Sequence, residues 1–576
     1  MMVENNTVIS NNFNNRGEVK QKRTIYKKCC NKQQSKRMLY MINKLKIINY
    51  KSFQNFELDL NSDLNIIIGD NEAGKSTLLE TINLALTGQL NNRLLQNELS
   101  PYLFNINSVK TYLEQLIINS KAELPSIKIE LYFDNPNNIY SELKGTNNLL
   151  RTDAPGVSIS IEFDSTYQSE YEIYIQDVRT IKTLPIEYYK VVWRSFAGNS
   201  LTSRGIPARS TLIDTSTSKY KNGADIYLHK ILNDSLEPSQ RTELAVHYRK
   251  LKETFSENQS IATINESLNE KKGDITDKNL NVSVDISSKT NWDKIITAYL
   301  DDVPFDYIGK GEQNAIKMKL ALESNTDLEA VVLIEEPENH LSLSNLNKLL
   351  NIIKTRNENK QLIITTHSSF ILNKLDIGKM ILLSSDKVTT SFNDLENETR
   401  EFFMRLPGYD TLRLVLSRKV ILVEGPSEDL IVQRAYKDLY DKLPLENGVD
   451  IFCIDGLSFK RFIEISANLQ KEITIITDND GDIEQNINNK YEEYLSNNLV
   501  KLCYSLDESL KTLEPNIIDA NKSNLSVLKE ILGHSDYEDD RLITYMLNNK
   551  TKCALKIFET DKTIKMPRYI LNAIEE

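Results

Sequence analysis

Residues 69–77 read GDNEAGKST and fit the pattern GxxxxGK[ST]. The stretch follows an apolar run from Leu64 to Ile68 and precedes a helix-like segment that ends near Gly88. Glycines let successive backbone N–H groups curve around a β-phosphate, and the start of a helix adds positive potential there. The stretch therefore predicts a phosphate-binding loop between a buried strand and a helix, which is typical of an α/β fold.

Several positions in this loop have an expected role in binding ATP with Mg²⁺. Lys75 would reach the β- and γ-phosphate oxygens, and Ser76 would hold the Mg²⁺ ion. Asn71, Gly74 and Thr77 complete the ATP-binding set within the loop. We expect the Lys75 side chain to be exposed to solvent.

A second part of the nucleotide site is predicted far downstream. The apolar run from Val331 to Ile334 ends in two carboxylates, Glu335 and Glu336. Glu335 would orient the water shell of the metal, and Glu336 would polarise the water that attacks the γ-phosphate. Another strand-like run, residues 362–364, leads to His367, which we expect to contact the γ-phosphate.

These motifs, together with Ile47 to Phe53, resemble the ABC-type ATPase heads of the SMC, RecF and OLD families. The resemblance implies that a signature loop from a second subunit completes the site. The candidate loop is residues 309–313, which contains Gly311 and precedes a helix-like run from Asn314 to Leu322. It lacks the usual Ser-Gly-Gly, so ATP binding is predicted more firmly than fast hydrolysis.

Two other patterns lie within the predicted head. Apolar residues alternate with polar ones in 127–133, 157–163 and 171–175, and this alternation predicts an antiparallel β arm with one solvated face. Between about residues 223 and 271 the spacing becomes helical, as at Leu244, Tyr248, Leu251 and Phe255. No heptad repeat follows, so we expect a small helical insert and not a long coiled-coil arm.

A separate set of carboxylates follows two strand-like runs near the C-terminus. Glu424 directly follows the run of residues 420–423. Asp478 directly follows residues 473–477, and Asp480 comes two positions later. Carboxyl ends of parallel strands meet at one edge of a sheet, so these acids are expected to converge. Clustered carboxylates repel one another unless a cation lies between them, and oxygen ligands select Mg²⁺ or Mn²⁺. Two such ions about 4 Å apart cleave phosphodiesters.

This C-terminal half resembles the Toprim domain, and the order of the two halves resembles the OLD (overcoming lysogenization defect) family, to which the Gabija nuclease subunit belongs. The resemblance implies further site residues: Glu428 as a second acid of the first motif, Glu514 as a ligand of a second metal, and Lys550 as a cation beside the scissile phosphate. It also implies that the helical insert serves dimerisation and that the protein acts in defence against phage.

The predicted organisation is an α/β chain in five parts. They are a disordered basic extension (1–40), the N-terminal part of an ABC-type ATPase head with its β arm (41–205), a helical dimerisation insert (206–290), the C-terminal part of the head (291–400) and a Rossmann-like Toprim domain (401–576).

Composition narrows the function classes. The chain has 576 residues, and its densest apolar runs are far shorter than the roughly 20 residues of a membrane span, which excludes transporters. The five cysteines include no CxxC pair, which predicts a protein of the reducing cytoplasm. The net charge of −11 argues against a passive nucleic-acid coat. Residues 1–40 are basic. They form either an arm that binds nucleic acid or a disordered extension.

The leading interpretation is an ATP-binding, metal-dependent DNA endonuclease. Glu424, Asp478, Lys550 and Glu336 are the expected catalytic residues. The expected partners are double-stranded DNA and further copies of the chain in a homodimer or homotetramer. The resemblance implies that the protein works either alone or with a UvrD-like helicase. The alternative is a RecF- or SMC-like ATPase that acts in DNA repair without nuclease activity. A topoisomerase or primase ranks last, because no spare DNA-gating domain or zinc finger is present.

Overall fold

The structure is a computed structural model. It describes residues 41–91, 93–118, 122–134, 142–202, 206, 208–214, 220–221, 224–225, 236–270, 281–283, 299–323, 329–355, 360–405, 411–454, 459–495 and 497–575. The predicted basic extension, residues 1–40, lies outside the described residues. The chain forms two compact units. The first comprises the described residues up to Asn65 and those in Ser76–Ile364, and the second comprises Ile66–Lys75 and those from Thr365 onward.

The strands, in chain order, are β1 (Ile42–Tyr50), β2 (Phe53–Asp59), β3 (Leu64–Ile68), β4 (Gln89–Leu90), β5 (Arg93–Leu94), β6 (Ile127–Phe133), β7 (Lys144–Gly145), β8 (Ala154–Phe163), β9 (Tyr189–Ser195), β10 (Arg209–Asp214), β11 (Tyr220–Lys221), β12 (Ala224–Asp225), β13 (Tyr299–Leu300), β14 (Val303–Pro304), β15 (Glu329–Glu335), β16 (Gln361–Thr365), β17 (Met380–Leu383), β18 (Thr389–Ser391), β19 (Lys419–Val423), β20 (Val449–Cys453), β21 (Ile473–Ile476) and β22 (Val500–Cys503).

The α-helices are α1 (Lys75–Thr87), α2 (Ile106–Ile118), α3 (Gln168–Tyr174), α4 (Pro238–Ser256), α5 (Gln259–Glu270), α6 (Lys310–Glu323), α7 (Leu343–Thr355), α8 (Ser369–Leu375), α9 (Asn397–Arg405), α10 (Thr411–Leu416), α11 (Pro426–Tyr440), α12 (Phe459–Asn468), α13 (Lys490–Leu495), α14 (Leu513–Ala520), α15 (Leu525–Leu532), α16 (Asp539–Asn548), α17 (Lys550–Glu559) and α18 (Arg568–Ile574).

The first unit contains an antiparallel sheet in the order β2-β1-β6-β8-β7, with β9 also paired to β8. Its strands alternate as the sequence predicts: Val157, Ile159 and Ile161 are buried, while Ser160 between them is partly exposed. This sheet is the predicted β arm. Strands β1 and β2, which precede the phosphate-binding loop, belong to it as well.

The prediction of a strand over residues 171–175 is wrong. Residues 171–175 lie in α3 and in the short 3₁₀ helix that follows, and β9 provides the strand that pairs with β8. Tyr171 is buried, and its hydroxyl lies 2.7 Å from that of Tyr112 on α2. Alternation over only three apolar residues fits a short helix as well as a strand, and the packing of Tyr171 against α2 decides for the helix.

The strands around the phosphate-binding loop are ordered β10-β15-β16 in the first unit and β3-β17-β18 in the second. Strand β3 is buried along its whole length and runs parallel to β17, as β10 does to β15. Residues 209–214 form strand β10 beside β15, although they lie inside the range predicted for the helical insert. Among the described residues of the insert, helix α4 starts at Pro238 and helix α5 at Gln259. The predicted domain boundaries themselves stay predictions.

The second unit contains a parallel sheet in the order β20-β19-β21-β22. Helices pack on it, and its core includes Ile421 of β19, Val432 of α11, Ile557 of α17 and Ile570 of α18. A parallel sheet needs such cover on both faces, which explains why its strands read as continuous apolar runs in the sequence. Within the described parts of the chain, no helix is both long and apolar enough to cross a membrane.

Candidate metal and nucleotide sites

The register of β19 and β21 brings the first two predicted acids together. Leu422 pairs with Ile475, so Glu424 and Thr477 follow at matching positions beyond the two strand ends. The backbone N–H of Asp478 donates a hydrogen bond of 3.1 Å to Oε1 of Glu424, and the Thr477 hydroxyl donates to the same oxygen. The two carboxylates therefore lie at one edge of the sheet.

Two further acids approach from the first turns of helices. Glu428 lies in the first turn of α11 and is buried, and a Cβ at Gly425 would lie 3.2 Å from its Oε2. Glu514 lies in the first turn of α14 and is only 2% exposed. Its Oε2 accepts a 3.0 Å hydrogen bond from Thr512, whereas its buried Oε1 has no partner among the described residues. A buried carboxylate oxygen without a partner is costly, which is the condition that a cation relieves.

The four carboxylates are close enough to affect one another's protonation. Burial raises the pKa of Asp478 to about 8, and the charges of Glu424 and Glu428 add to this effect. Burial, with the charges of Glu514 and Glu424, raises the pKa of Glu428 to about 6. Like charges held together out of water favour the neutral acid.

Lys550 is the cation of this group. It begins α17, its Nζ lies 3.8 Å from Oε2 of Glu514, and its charge opposes the rise in pKa at both Asp478 and Glu428. Asp480 differs from the other acids. It is exposed, has a positive φ of 49°, and its backbone N–H donates to the Lys511 carbonyl at 3.2 Å.

The residues present fit a divalent cation in their chemistry. They offer oxygen donors, mutual repulsion and the unpartnered Oε1 of Glu514. Their side chains are not arranged as a finished binding site: within the described residues, no group of three or more His, Cys, Asp or Glu side chains is placed so that it could hold a metal ion.

Two residues beside Glu424 were missed by the sequence reasoning. Thr477 donates to Glu424 and so fixes one of its oxygens. Tyr491 on α13 is buried, and burial together with the charge of Glu424 raises its pKa. A single π-helical turn, Glu484–Asn489, precedes it. No short motif marks either residue, although π-helical turns are frequent at functional sites.

The phosphate-binding loop has the backbone that its glycines predict. Gly74 has a φ of 105°, which L side chains rarely adopt. The prediction that Lys75 is exposed is wrong, because the residue is only 7% exposed. Its Nζ donates to the carbonyls of Gly69 at 2.7 Å and Asp70 at 2.9 Å. Asn71 is exposed and Thr77 is partly buried.

In the first unit, the predicted metal residues of the nucleotide site meet. The Ser76 hydroxyl donates to Oε1 of Glu335, although 259 positions separate the two residues. Glu336 follows directly with a positive φ of 44°, and its Oε2 accepts a 2.8 Å hydrogen bond from Asn339.

Two other predicted nucleotide-site residues are placed as follows. His367, in the second unit, is exposed just after β16. Gly311 does not lie in a loop, because α6 already begins at Lys310. A Cβ at Gly311 would lie 2.1 Å from the His340 carbonyl oxygen, so packing alone requires glycine there.

Two family models match the chain. The one described as AAA ATPase domain matches residues 41–372, and the one described as Overcoming lysogenization defect protein-like, TOPRIM domain matches residues 415–480. The fold and the site thus define an ATPase-domain protein that carries a Toprim domain. The chain belongs to the AAA ATPase domain family, with a Toprim domain of the OLD type. This confirms the fold class and the resemblance predicted from the sequence.

Individual relatives were also found. The curated protein Endonuclease GajA of Bacillus cereus (strain HuB5-5) is 23% identical over 615 residues, which cover 89% of this chain and 86% of that protein. Among solved structures, the SMC head bound to the C-winged helix domain of ScpA is 15% identical and covers 61% of this chain and 99% of its own, with a TM-score of 0.30. The SMC head of Thermotoga maritima is 11% identical, with coverages of 59% and 94% and a TM-score of 0.27.

Proposed function

We propose that the chain is an ATP-regulated, divalent-metal-dependent DNA endonuclease of the OLD type. The observation that carries the proposal is the meeting of Glu424 and Asp478 at the carboxyl edge of the parallel sheet, with Glu428 and Glu514 near enough to shift protonation. The similarity to a protein named as an endonuclease supports the same activity. The earlier prediction of Mg²⁺ or Mn²⁺ as the cofactor remains part of this proposal.

In this proposal Glu424, Asp478, Glu428 and Glu514 hold the ions, and the exposed Asp480 joins them from its loop. When bound, two such ions supply an activated water and stabilise the leaving oxygen of a phosphodiester. A bound cation would favour the ionised form of Asp478, whose pKa is raised by burial and by the neighbouring carboxylates. Lys550 offsets negative charge on the scissile phosphate.

The ATPase half regulates cleavage in the same proposal. The loop from Asn71 to Thr77 binds the phosphates through Lys75, Ser76 holds Mg²⁺, and Glu335 orients the water shell of the metal. Glu336 polarises the attacking water, and His367 senses the γ-phosphate. Gly311, at the start of α6, is retained as the candidate that a second subunit presents to the nucleotide.

The proposed partners are double-stranded DNA and further copies of this chain, as a homodimer or homotetramer. Apolar side chains on the insert helices support self-association: Leu251 is 67% exposed and Phe255 57% exposed on α4, and Ile264 on α5 is exposed as well. A UvrD-like helicase partner and a role in defence against phage follow from the family resemblance.

Plasmid cleavage tests the proposed activity. Wild-type protein should nick or linearise plasmid DNA with Mg²⁺ or Mn²⁺ and should be inactive with EDTA, while Glu424→Ala should reduce the rate by at least about 100-fold. Glu472→Ala is the matched control, because Glu472 is exposed and immediately precedes β21, at the opposite end of that strand. Cleavage by Glu424→Ala at the wild-type rate would contradict the proposal.

One observation favours a second candidate, a RecF- or SMC-like ATPase without nuclease activity. Within the described residues, the acids do not form a group that could hold a metal ion as they are placed. This candidate predicts ATP hydrolysis and DNA binding by the purified chain, with intact plasmid in Mg²⁺, Mn²⁺ and their mixture.

A further inference from the structure

A cavity of about 600 Å³ lies on the polar face of the β arm, in the first unit. Its lining residues are Lys128, Thr146, Asn147, Asn148, Arg151, Ser158, Ser160, Glu162, Val192, Arg194, Ser195 and Gly198. None of the predicted site residues is among them. The volume falls within the range of small-molecule binding sites.

The strand register places the charges of this cavity. Lys128, Ser160 and Val192 form one row across β6, β8 and β9, and Glu130, Ser158 and Arg194 form the next. Lys128 forms a 3.0 Å ion pair with the fully buried Glu130, so these two charges offset each other. The remaining lining charges are the guanidinium groups of Arg151 and Arg194 and one carboxylate, Glu162, which leaves the cavity net positive.

The loop that carries Arg151 is held rigidly. Asn148 is buried, and its Nδ2 donates to the carbonyls of Gly145 at 3.1 Å and Thr152 at 2.7 Å. Both Glu130 carboxylate oxygens accept from the Leu149 N–H, at 3.0 and 2.8 Å. Arg151 has a φ of 53°, a strained backbone of the kind that clusters at ligand sites.

Several polar groups in the cavity are left to bind a ligand. Ser158 is only 8% exposed, whereas Ser160 already donates to Oε2 of Glu162 at 3.4 Å and Ser195 accepts from the Asn199 N–H at 3.2 Å in the described part of the chain. Neither the Arg151 nor the Arg194 guanidinium has a partner there. A buried hydroxyl beside two free guanidinium groups favours an anion with several acceptor oxygens.

We propose that this cavity binds a sugar phosphate. The two arginines would take the phosphate, and the Ser158 hydroxyl with the Glu162 carboxylate would take sugar hydroxyls. None of the described residues that line the cavity is aromatic, so they offer no platform on which a base could stack. The ligand is therefore recognised by its phosphate and sugar, whether it is a free sugar phosphate or part of a nucleic-acid backbone.

The test measures binding to the full chain in a Lys75→Ala background, so that the phosphate-binding loop does not contribute. Ribose 5-phosphate is titrated by calorimetry, and a duplex DNA oligonucleotide is titrated by fluorescence anisotropy. We expect Arg151→Gln with Arg194→Gln to weaken binding of at least one of the two at least about tenfold, since both charge-assisted contacts to the phosphate are lost. Arg93→Gln is the matched control, because Arg93 is an exposed arginine, paired with Glu98, outside the cavity.

The two titrations distinguish the source of the ligand. A loss confined to ribose 5-phosphate identifies a free sugar phosphate, and a loss confined to DNA identifies the nucleic-acid backbone. Glu162→Gln should in addition tighten binding of inorganic phosphate, because it removes the only carboxylate in the lining. The proposal is overturned if the double variant binds both ligands as the Arg93→Gln protein does, whatever the result of plasmid cleavage.

Discussion

Several acidic residues in the second unit repel one another. Glu424, Glu428, Asp478 and Glu514 place carboxylates near one another, and Lys550 is the one cation whose charge lowers the pKa of both Asp478 and Glu428 among the interactions resolved in the described residues. Without a divalent cation, the folded chain reduces the repulsion by keeping protons on the acids. The stability of the metal-free protein should therefore depend on pH through these residues.

The first prediction concerns Asp478. In the unfolded chain this carboxyl loses its proton near its ordinary pKa of about 3.9, whereas in the folded chain its pKa is raised to about 8. The folded state therefore binds more protons between these values, and stability falls as the pH rises through this window. Metal-free wild type should melt at lower temperature at pH 8 than at pH 5, and Asp478→Asn should melt about 2–4 °C higher than wild type at pH 8.

Thermal unfolding in EDTA between pH 5 and pH 8 checks this prediction. Asp482→Asn serves as the matched control, because Asp482 lies nearby in the chain but is exposed to solvent. Equal pH dependence in wild type and Asp478→Asn would show that Asp478 is not held among like charges.

The sequence predicted Glu424 and Asp478 because each follows an apolar run, and parallel strands bring their carboxyl ends to one edge. Thr477 and Tyr491 were not predictable in this way. Thr477 touches Glu424 through the register of β19 and β21, and Tyr491 reaches the same region through the placement of α13. Both contacts depend on tertiary packing, which no local pattern encodes.

Whole elements were predictable where their apolar pattern was long or was bounded by clear signals. Strand β3 and helix α1 follow the sequence prediction because a buried run, a glycine loop and a helix occur in immediate succession. Helix α3 was missed because three alternating residues carry too little periodicity. Strand β10 was missed because residues 209–214 mix polar and apolar side chains, and only pairing with β15 makes them a strand.

The second prediction concerns helix α4. If its exposed apolar residues form the contact between subunits, Leu251→Asp with Phe255→Asp should convert the oligomer to monomer, because a charge buried in an apolar contact is strongly unfavourable. Sedimentation velocity or light scattering measures the mass. Leu506→Asp is the control, since Leu506 is 81% exposed and lies outside the insert. An unchanged mass of the double variant would place the subunit contact elsewhere.

The whole molecule combines a nucleotide site and a candidate nuclease site in one chain. The order of its motifs was sufficient to predict this combination, because each motif pairs a strand end with a specific chemistry. The motifs carry no information about side-chain rotamers. They could therefore not predict that the acids, as they are placed in the described residues, form no group that could hold a metal ion.

The third prediction concerns the dependence of cleavage on ATP. Lys75→Ala should abolish binding of a fluorescent ATP analogue and remove any effect of ATP on plasmid cleavage, while metal-dependent cleavage without nucleotide persists. In this variant the carbonyls of Gly69 and Asp70 lose a hydrogen-bond donor. Its melting temperature should therefore be measured beside that of Lys46→Ala, which replaces a lysine on β1. Normal binding of the analogue would contradict the assigned role of Lys75.

The most direct test of the central claim is calorimetric titration of Mn²⁺ into the full chain, in the Ser76→Ala background that removes the metal residue of the nucleotide site. The account predicts binding to the remaining site, with release of protons at pH 7, and a loss of at least about tenfold in affinity for both Glu424→Ala and Asp478→Asn but not for Glu472→Ala. Equal Mn²⁺ affinity in all of these proteins, or no binding in any of them, would contradict it.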